Sequence, residues 1–194
     1  MNRPRDDGLD FERALRLAAV GHRDQARKGS GVPYVEHPFA VALILDRAGF
    51  DEEVAIAGLL HDLVEDTDVT LEQIRDGFGD RVAAIVDACS EVKLDADGAR
   101  RPWIDRKRDH LAALAGATDD VRAVTLADKL HNLLSIRLDL LDGRPVWSTF
   151  NAGRDQVLWC YRAMVEACRS DDDRVARLAE ECRVSLAEVE AIGR

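Results

Sequence analysis

Residues 54–70, VAIAGLLHDLVEDTDVT, constrain the fold more than any other stretch of the chain. Ile56, Leu59, Leu60, Leu63 and Val64 supply the apolar bulk of a buried helix, yet His61, Asp62, Glu65 and Asp66 interrupt it. At about 100° per residue these four fall within an arc of roughly 140°. The apolar side chains spread around the remainder, so a helix here is expected to be largely buried. A buried charge is costly unless a partner or a metal compensates it. Gly58 and Ala55 lie on the polar arc, where small residues leave room for something to approach. A bound cation, held by a histidine and a carboxylate, is the most economical explanation. A solvated helix end with an acidic face is the alternative.

The rest of the chain is helical in pattern. Phe11, Ala14, Leu15, Ala18 and Ala19 recur at three- and four-residue spacing and predict a helix over about 9–27. Pro38 suits the first turn of a helix that Gly49 ends, and a helix from Glu52 through Asp66 follows. Thr70 with Gln73 has capping-box spacing ahead of a short helix, and 80–90 forms another. EVKLDADGARRP has no periodic apolar face and reads as a surface loop. Helices are expected over about 103–115, 119–141 and 151–169, then two short amphipathic pieces, VARLAEECRV and SLAEVEAIG. No segment alternates as a strand would. The expected class is all-α, with about eight to ten helices, divided into residues 1–170 and a helical tail over 171–194.

Composition excludes several partners. A net charge of -10 argues against a surface that coats nucleic acid, although a local cationic pocket can still sit on an acidic protein. No apolar run approaches the length of a membrane span, and MNRPRDDGLDF lacks a signal-peptide core. Cys89, Cys160, Cys168 and Cys182 have no CxxC spacing and read as reduced thiols of a cytoplasmic protein.

A cation site needs more than His61 and Asp62. His37, in PYVEHPFAV, sits where a bend can aim its ring at a neighbouring helix. Asp128, in VTLADKLHNLL, shares a helical face with Val121, Val124 and Asn132, so its carboxylate points where packing is expected. Two histidines with two aspartates give mixed nitrogen and oxygen ligation, suited to Mn, Fe, Zn or Mg.

The order of these residues, H, then HD, then D, resembles that of HD-domain phosphohydrolases. HxxQARKG…PYVEHPxxVAxIL, GLLHDLVEDTDVTLEQIRDGFGDRVAAIV and LADKLHNL extend the likeness over roughly residues 10–165. They resemble the hydrolase domain of RelA/SpoT proteins and their stand-alone relatives, the small alarmone hydrolases of the metazoan SpoT homologue type. The resemblance implies a compact HD-domain fold with His37, His61, Asp62 and Asp128 as metal ligands and manganese as the metal. It implies Glu65 and Asp66 as the catalytic acids, Asn132 near the nucleotide, and Arg27 and Lys28 beside the substrate pocket. Lys129 and Arg154 are further candidates for holding polyphosphate. The implied reaction removes the 3′-pyrophosphate of guanosine tetra- or pentaphosphate, a small-molecule nucleotide. Charge and hydropathy leave neither nucleic acid nor membrane as an expected partner, and the two tail pieces are open to either of two uses, covering the core or joining a homodimer.

Thr125 stands where alarmone hydrolases carry a lysine, and Trp103, Trp147 and Trp159 concentrate in segments that depart from their pattern. An HD phosphohydrolase acting on another nucleotide or phosphorylated cofactor is therefore a second reading. A nucleotide sensor with a vestigial site is a third, opposed by the intact Glu65–Asp66 pair.

Overall fold

The apolar helix around which everything else packs is α3 (Glu52–Leu60), in which every residue from Val54 to Leu60 is buried. A computed structural model describes residues 9–95 and 97–192. Most of the N-terminal stretch expected to lack a signal-peptide core lies outside them, as do the first residues of the expected 1–170 unit and the last two of the tail.

Before α3 come α1 (Leu9–Gly21) and α2 (Glu36–Arg47); after it come α4 (Leu63–Asp66), α5 (Leu71–Phe78) and α6 (Asp80–Cys89). The remaining helices among the described residues are α7 (Trp103–Ala115), α8 (Asp119–Leu141), α9 (Arg154–Ala167) and α10 (Asp173–Ile192), with a 3₁₀ turn over Val146–Thr149. The described residues contain no strand, only isolated bridges joining Ala26 to Pro33 and Leu94 to Arg100. The chain is all-α, as expected. No helix among the described residues is long and apolar enough to cross a membrane.

Caps set most boundaries. Asp51 accepts from the Val54 amide at 3.2 Å and starts α3. Thr70 and Gln73 form the expected capping box at the head of α5. Gly49 ends the turn after α2 at φ 85°, a left-handed conformation that favours glycine.

Three boundaries differ from expectation. The first helix stops at Gly21, and 24–33 is a loop. The expected helix over Glu52–Asp66 pauses at His61–Asp62, because the His61 ring, 2.8 Å from the Gly58 carbonyl, takes the acceptor that a continuous helix would offer to Asp62. The two tail pieces are one helix, α10, because Val175, Leu178, Ala179, Cys182, Leu186 and Val189 form a single buried face. The most extensive helix–helix interface joins α10 to α8. There the Cys182 thiol donates to the Leu126 carbonyl at 3.3 Å.

α3 is enclosed by α1, α2, α6 and α8. Each fully buried leucine contributes roughly 1.5–3 kcal/mol. Leu59, Leu60 and Leu63, all at 0% exposure, can therefore offset the several kcal/mol that sinking one carboxylate costs.

Candidate metal centre and active site

Three helices deliver the polar cluster. His37 is the second residue of α2, His61 and Asp62 form the α3–α4 joint, and Asp128 lies midway along α8. One ligand atom each from His37, His61 and Asp128 can be chosen so that all lie within 4.8 Å of one another. His37 Nε2 is 3.2 Å from Asp128 Oδ1. Asp62 Oδ2 flanks the group, 3.2 Å from His61 Nε2 and 3.6 Å from His37 Nε2. The Tyr34 hydroxyl donates to that same oxygen at 2.7 Å.

The cluster fits a divalent cation. His61 Nδ1 is committed to the Gly58 carbonyl, which leaves Nε2 buried, facing the group, and without a hydrogen-bond partner. Burial opposes a proton on His61, but the charges of Asp62 and Asp128 outweigh it and raise the imidazole to about 9. Burial also opposes charge on Asp62, yet His61 and His37 hold its carboxyl well below the usual range. Asp128 is held low in the same way, by Lys129 and His37 against burial. Burial pushes His37 downward, toward the neutral ring that a metal requires. The field that retains a proton on His61 is one that favours a cation among two nitrogens and carboxylate oxygens.

The acidic pair of α4 lies beside this cluster and is wired to the 91–102 segment. Lys93 Nζ is 3.1 Å from Glu65 Oε1 and 2.6 Å from Asp66 Oδ1. The Glu91 amide donates to Glu65 Oε2 at 3.2 Å. Glu91 in turn pairs with Arg106 at 2.9 Å and with Lys107. Burial raises the Glu65 carboxyl, and Lys93 opposes the shift. On the other side, Gln25 donates to the Asp66 carbonyl at 2.7 Å.

A cavity of about 760 Å³ opens next to the cluster. Arg27, Lys28, Lys107, Lys129, Asn132 and Asp66 are part of its lining. Arg27 donates to Asn132 Oδ1 at 2.7 Å, and Asn132 donates to Asp128, as does Lys129. Trp103, Phe150 and Tyr161 also line the cavity.

The structure thus brings together His37, His61, Asp62, Asp128, Glu65, Asp66, Arg27, Lys28, Lys129 and Asn132. Arg154 is not among the lining residues. Its guanidinium lies over the Trp147 ring, 5.7 Å from the centroid, and donates to the Glu190 carbonyl at 3.4 Å, tying α9 to α10. Trp147 packs against the core and Trp159 is exposed, so of the three tryptophans Trp103 alone is part of the cavity lining. Gly58 does not leave space for a ligand: Leu45 and Val41 of α2 fill it.

Sequence reasoning missed Tyr34, Lys93, Lys107 and the pair Glu36–His131. Tyr34 carried a usable signal, since it stands three residues before His37 in one turn of chain. Lys93 carried none, because its irregular segment has no period from which to infer a neighbour.

Comparison with known proteins accords with this geometry. An HD-domain family model matches residues 14–154. Over 129 residues the chain is 43% identical to a Streptomyces coelicolor GTP pyrophosphokinase, covering 66% of this chain but 15% of that protein. It is 40% identical over 122 residues to the Danio rerio guanosine-3′,5′-bis(diphosphate) 3′-pyrophosphohydrolase MESH1, covering 61% of this chain and 64% of the other. The chain therefore spans less than two thirds of the length of these relatives. Among solved structures, a metazoan orthologue of SpoT, described as hydrolysing ppGpp and playing a role in starvation responses, superposes with a TM-score of 0.73 at 29% identity. That match covers 94% of this chain and 96% of the other. A Listeria monocytogenes EGD-e protein matches at TM-score 0.63 and 38% identity, over 76% of this chain and 94% of its own. With helices, cluster and motifs in agreement, the chain belongs to the HD-domain family.

Proposed function

We propose that this chain is a divalent-cation-dependent phosphohydrolase that removes the 3′-pyrophosphate of guanosine tetra- or pentaphosphate. The observation that carries the reading is the His37–His61–Asp128 cluster beside a cavity lined by Arg27, Lys28, Lys107 and Lys129. The activities named for the Danio rerio and metazoan SpoT relatives support the same substrate.

His37, His61 and Asp128, with Asp62 alongside, would hold the cation, and manganese is the metal we assign. When bound, it supplies Lewis acidity and makes water a stronger acid at neutral pH. Of the α4 pair, Asp66 lines the cavity and orients the attacking water, and Glu65 takes its proton. The water oxygen joins the pyrophosphoryl phosphorus as the bond to the 3′-oxygen breaks, and that oxygen leaves with a proton. Lys129, Lys107, Arg27 and Lys28 bind the polyphosphate and balance the charge gathering on its oxygens. Tyr34 orients Asp62 through its hydroxyl. The four free cysteines support a cytoplasmic setting. Leu134, Leu138 and Leu141, exposed on one side of α8, support a homodimer.

The aromatic lining of Trp103, Phe150 and Tyr161 favours a second reading, in which the same chemistry acts on another nucleotide or on a phosphorylated cofactor such as NADPH. Turnover of a nucleotide panel with manganese separates the two. Release of pyrophosphate from guanosine tetraphosphate, abolished in Asp62→Ala, is the expected result. An untouched guanosine tetraphosphate beside a cleaved competitor overturns the substrate assignment.

A further inference from the structure

Two imidazoles meet behind the cluster. His37 Nδ1 and His131 Nδ1 lie 2.7 Å apart in the interior, and on the far side of the second ring His131 Nε2 is 3.0 Å from Glu36 Oε1. At that separation the two Nδ1 atoms hold one proton between them: two would collide, and none would set lone pair against lone pair. With both rings neutral, two arrangements satisfy this condition.

In the first, His37 carries its proton on Nδ1 and donates it to His131, so His37 Nε2 presents a lone pair to the cluster. His131 then carries its own proton on Nε2 and donates it to Glu36. In the second, His131 Nδ1 is the donor and His37 carries its proton on Nε2, facing the cluster. His131 Nε2 then turns a lone pair toward a carboxylate that can only accept, leaving two acceptors opposed at 3.0 Å. Asp128 Oδ1, 3.2 Å from His37 Nε2, favours the second arrangement while a proton lies between them. Once a cation replaces that proton, only the first arrangement is usable, and Glu36 has already biased the rings toward it.

We propose that Glu36 and His131 form a positioning relay that fixes His37 in its cation-binding tautomer. The inference rests on the metal-cluster reading given above. Its construction is economical: Glu36 and His37 are consecutive on α2, yet they engage opposite nitrogens of one α8 ring, three residues beyond Asp128. Partners of this kind behind a ligand typically contribute about 10–100-fold to metal affinity.

The test is manganese binding by calorimetry, without nucleotide, for the wild type, Glu36→Gln and His131→Phe. His131→Phe is expected to weaken binding about 10–100-fold, and Glu36→Gln by up to about tenfold, since an amide can turn either an acceptor or a donor to the ring. Half-exposed Glu36 tolerates substitution, so that variant decides alone if His131→Phe does not fold. In the zinc-loaded protein, long-range nitrogen NMR should show His131 protonated at Nε2, and Glu36→Gln should shift that signal. Wild type that binds no manganese overturns the cluster itself. Wild type that binds while Glu36→Gln matches its affinity and its NMR signature overturns the relay alone.

Discussion

Lys93 stands between the two acids of the motif, within reach of both carboxylates and also donating to the Glu65 carbonyl at 3.0 Å. Its charge opposes the burial that raises the Glu65 carboxyl. A proton-accepting carboxylate works only when ionised, so the rate should fall as pH drops through the Glu65 pKa. Lys93→Gln removes the opposing charge, lets burial raise that pKa further, and should move the acid limb of the pH–rate profile to higher pH. If the limb stays where the wild type has it, Glu65 is not the titrating base. The contrast between Lys93 and the HD pair explains what could be read from residues alone. His61 and Asp62 stand out because a charge in an apolar helix is anomalous at any register. Lys93 sits in a polar stretch where a lysine is ordinary, and its significance arises only when the loop crosses α4. Arg154 shows the converse: a cation in a motif-like segment is held by Trp147 and Glu190 away from the cavity lining.

At the scale of elements, the site depends on how closely α2 and α3 approach, since one carries His37 and the other leads into His61. Gly58 sets that approach. A Cβ there would meet the far end of Leu45, which is fully buried with little room to turn, and would sit 3.2 Å from the stiff Val41 side chain. Gly58→Ala should therefore cost about 1–3 kcal/mol by overpacking, offset by up to about 1 kcal/mol of helix propensity. The two helices would be displaced, so manganese affinity should fall along with the melting temperature. Wild-type values for both would mean that the spacing is not set here. Helical periodicity revealed nearly every element because amphipathic faces repeat at 3.6 residues. It could not reveal the pause at His61–Asp62, which one ring-to-carbonyl hydrogen bond creates inside an apolar run. Nor could it reveal that the two tail pieces are continuous, because Arg183 and Val184 at the join are both exposed and resemble a break until α10 lies on α8.

Over the whole molecule, the cluster joins three helices whose contributing residues span positions 37 to 128, and it places two carboxylates at the meeting point. His61, His37 and Lys129 hold those carboxylates ionised, and a cation bound among them would cross-link α2, α8 and the α3–α4 joint. A ligand that binds the folded state alone stabilises it in proportion to the logarithm of its concentration over Kd, about 2.7 kcal/mol at a hundredfold excess. For a chain of 194 residues, each kcal/mol raises the melting temperature by about 2–4 °C. Saturating manganese should then raise it by roughly 5–10 °C, and a chelator should reverse the gain. Asp128→Asn should abolish the increment, because it removes a ligand and half of the carboxylate charge that the cation neutralises. Arg154→Ala, at a residue tied to Glu190 and Trp147, should lower the baseline but keep the increment. A manganese shift that persists in Asp128→Asn would locate the stabilising cation elsewhere in the molecule.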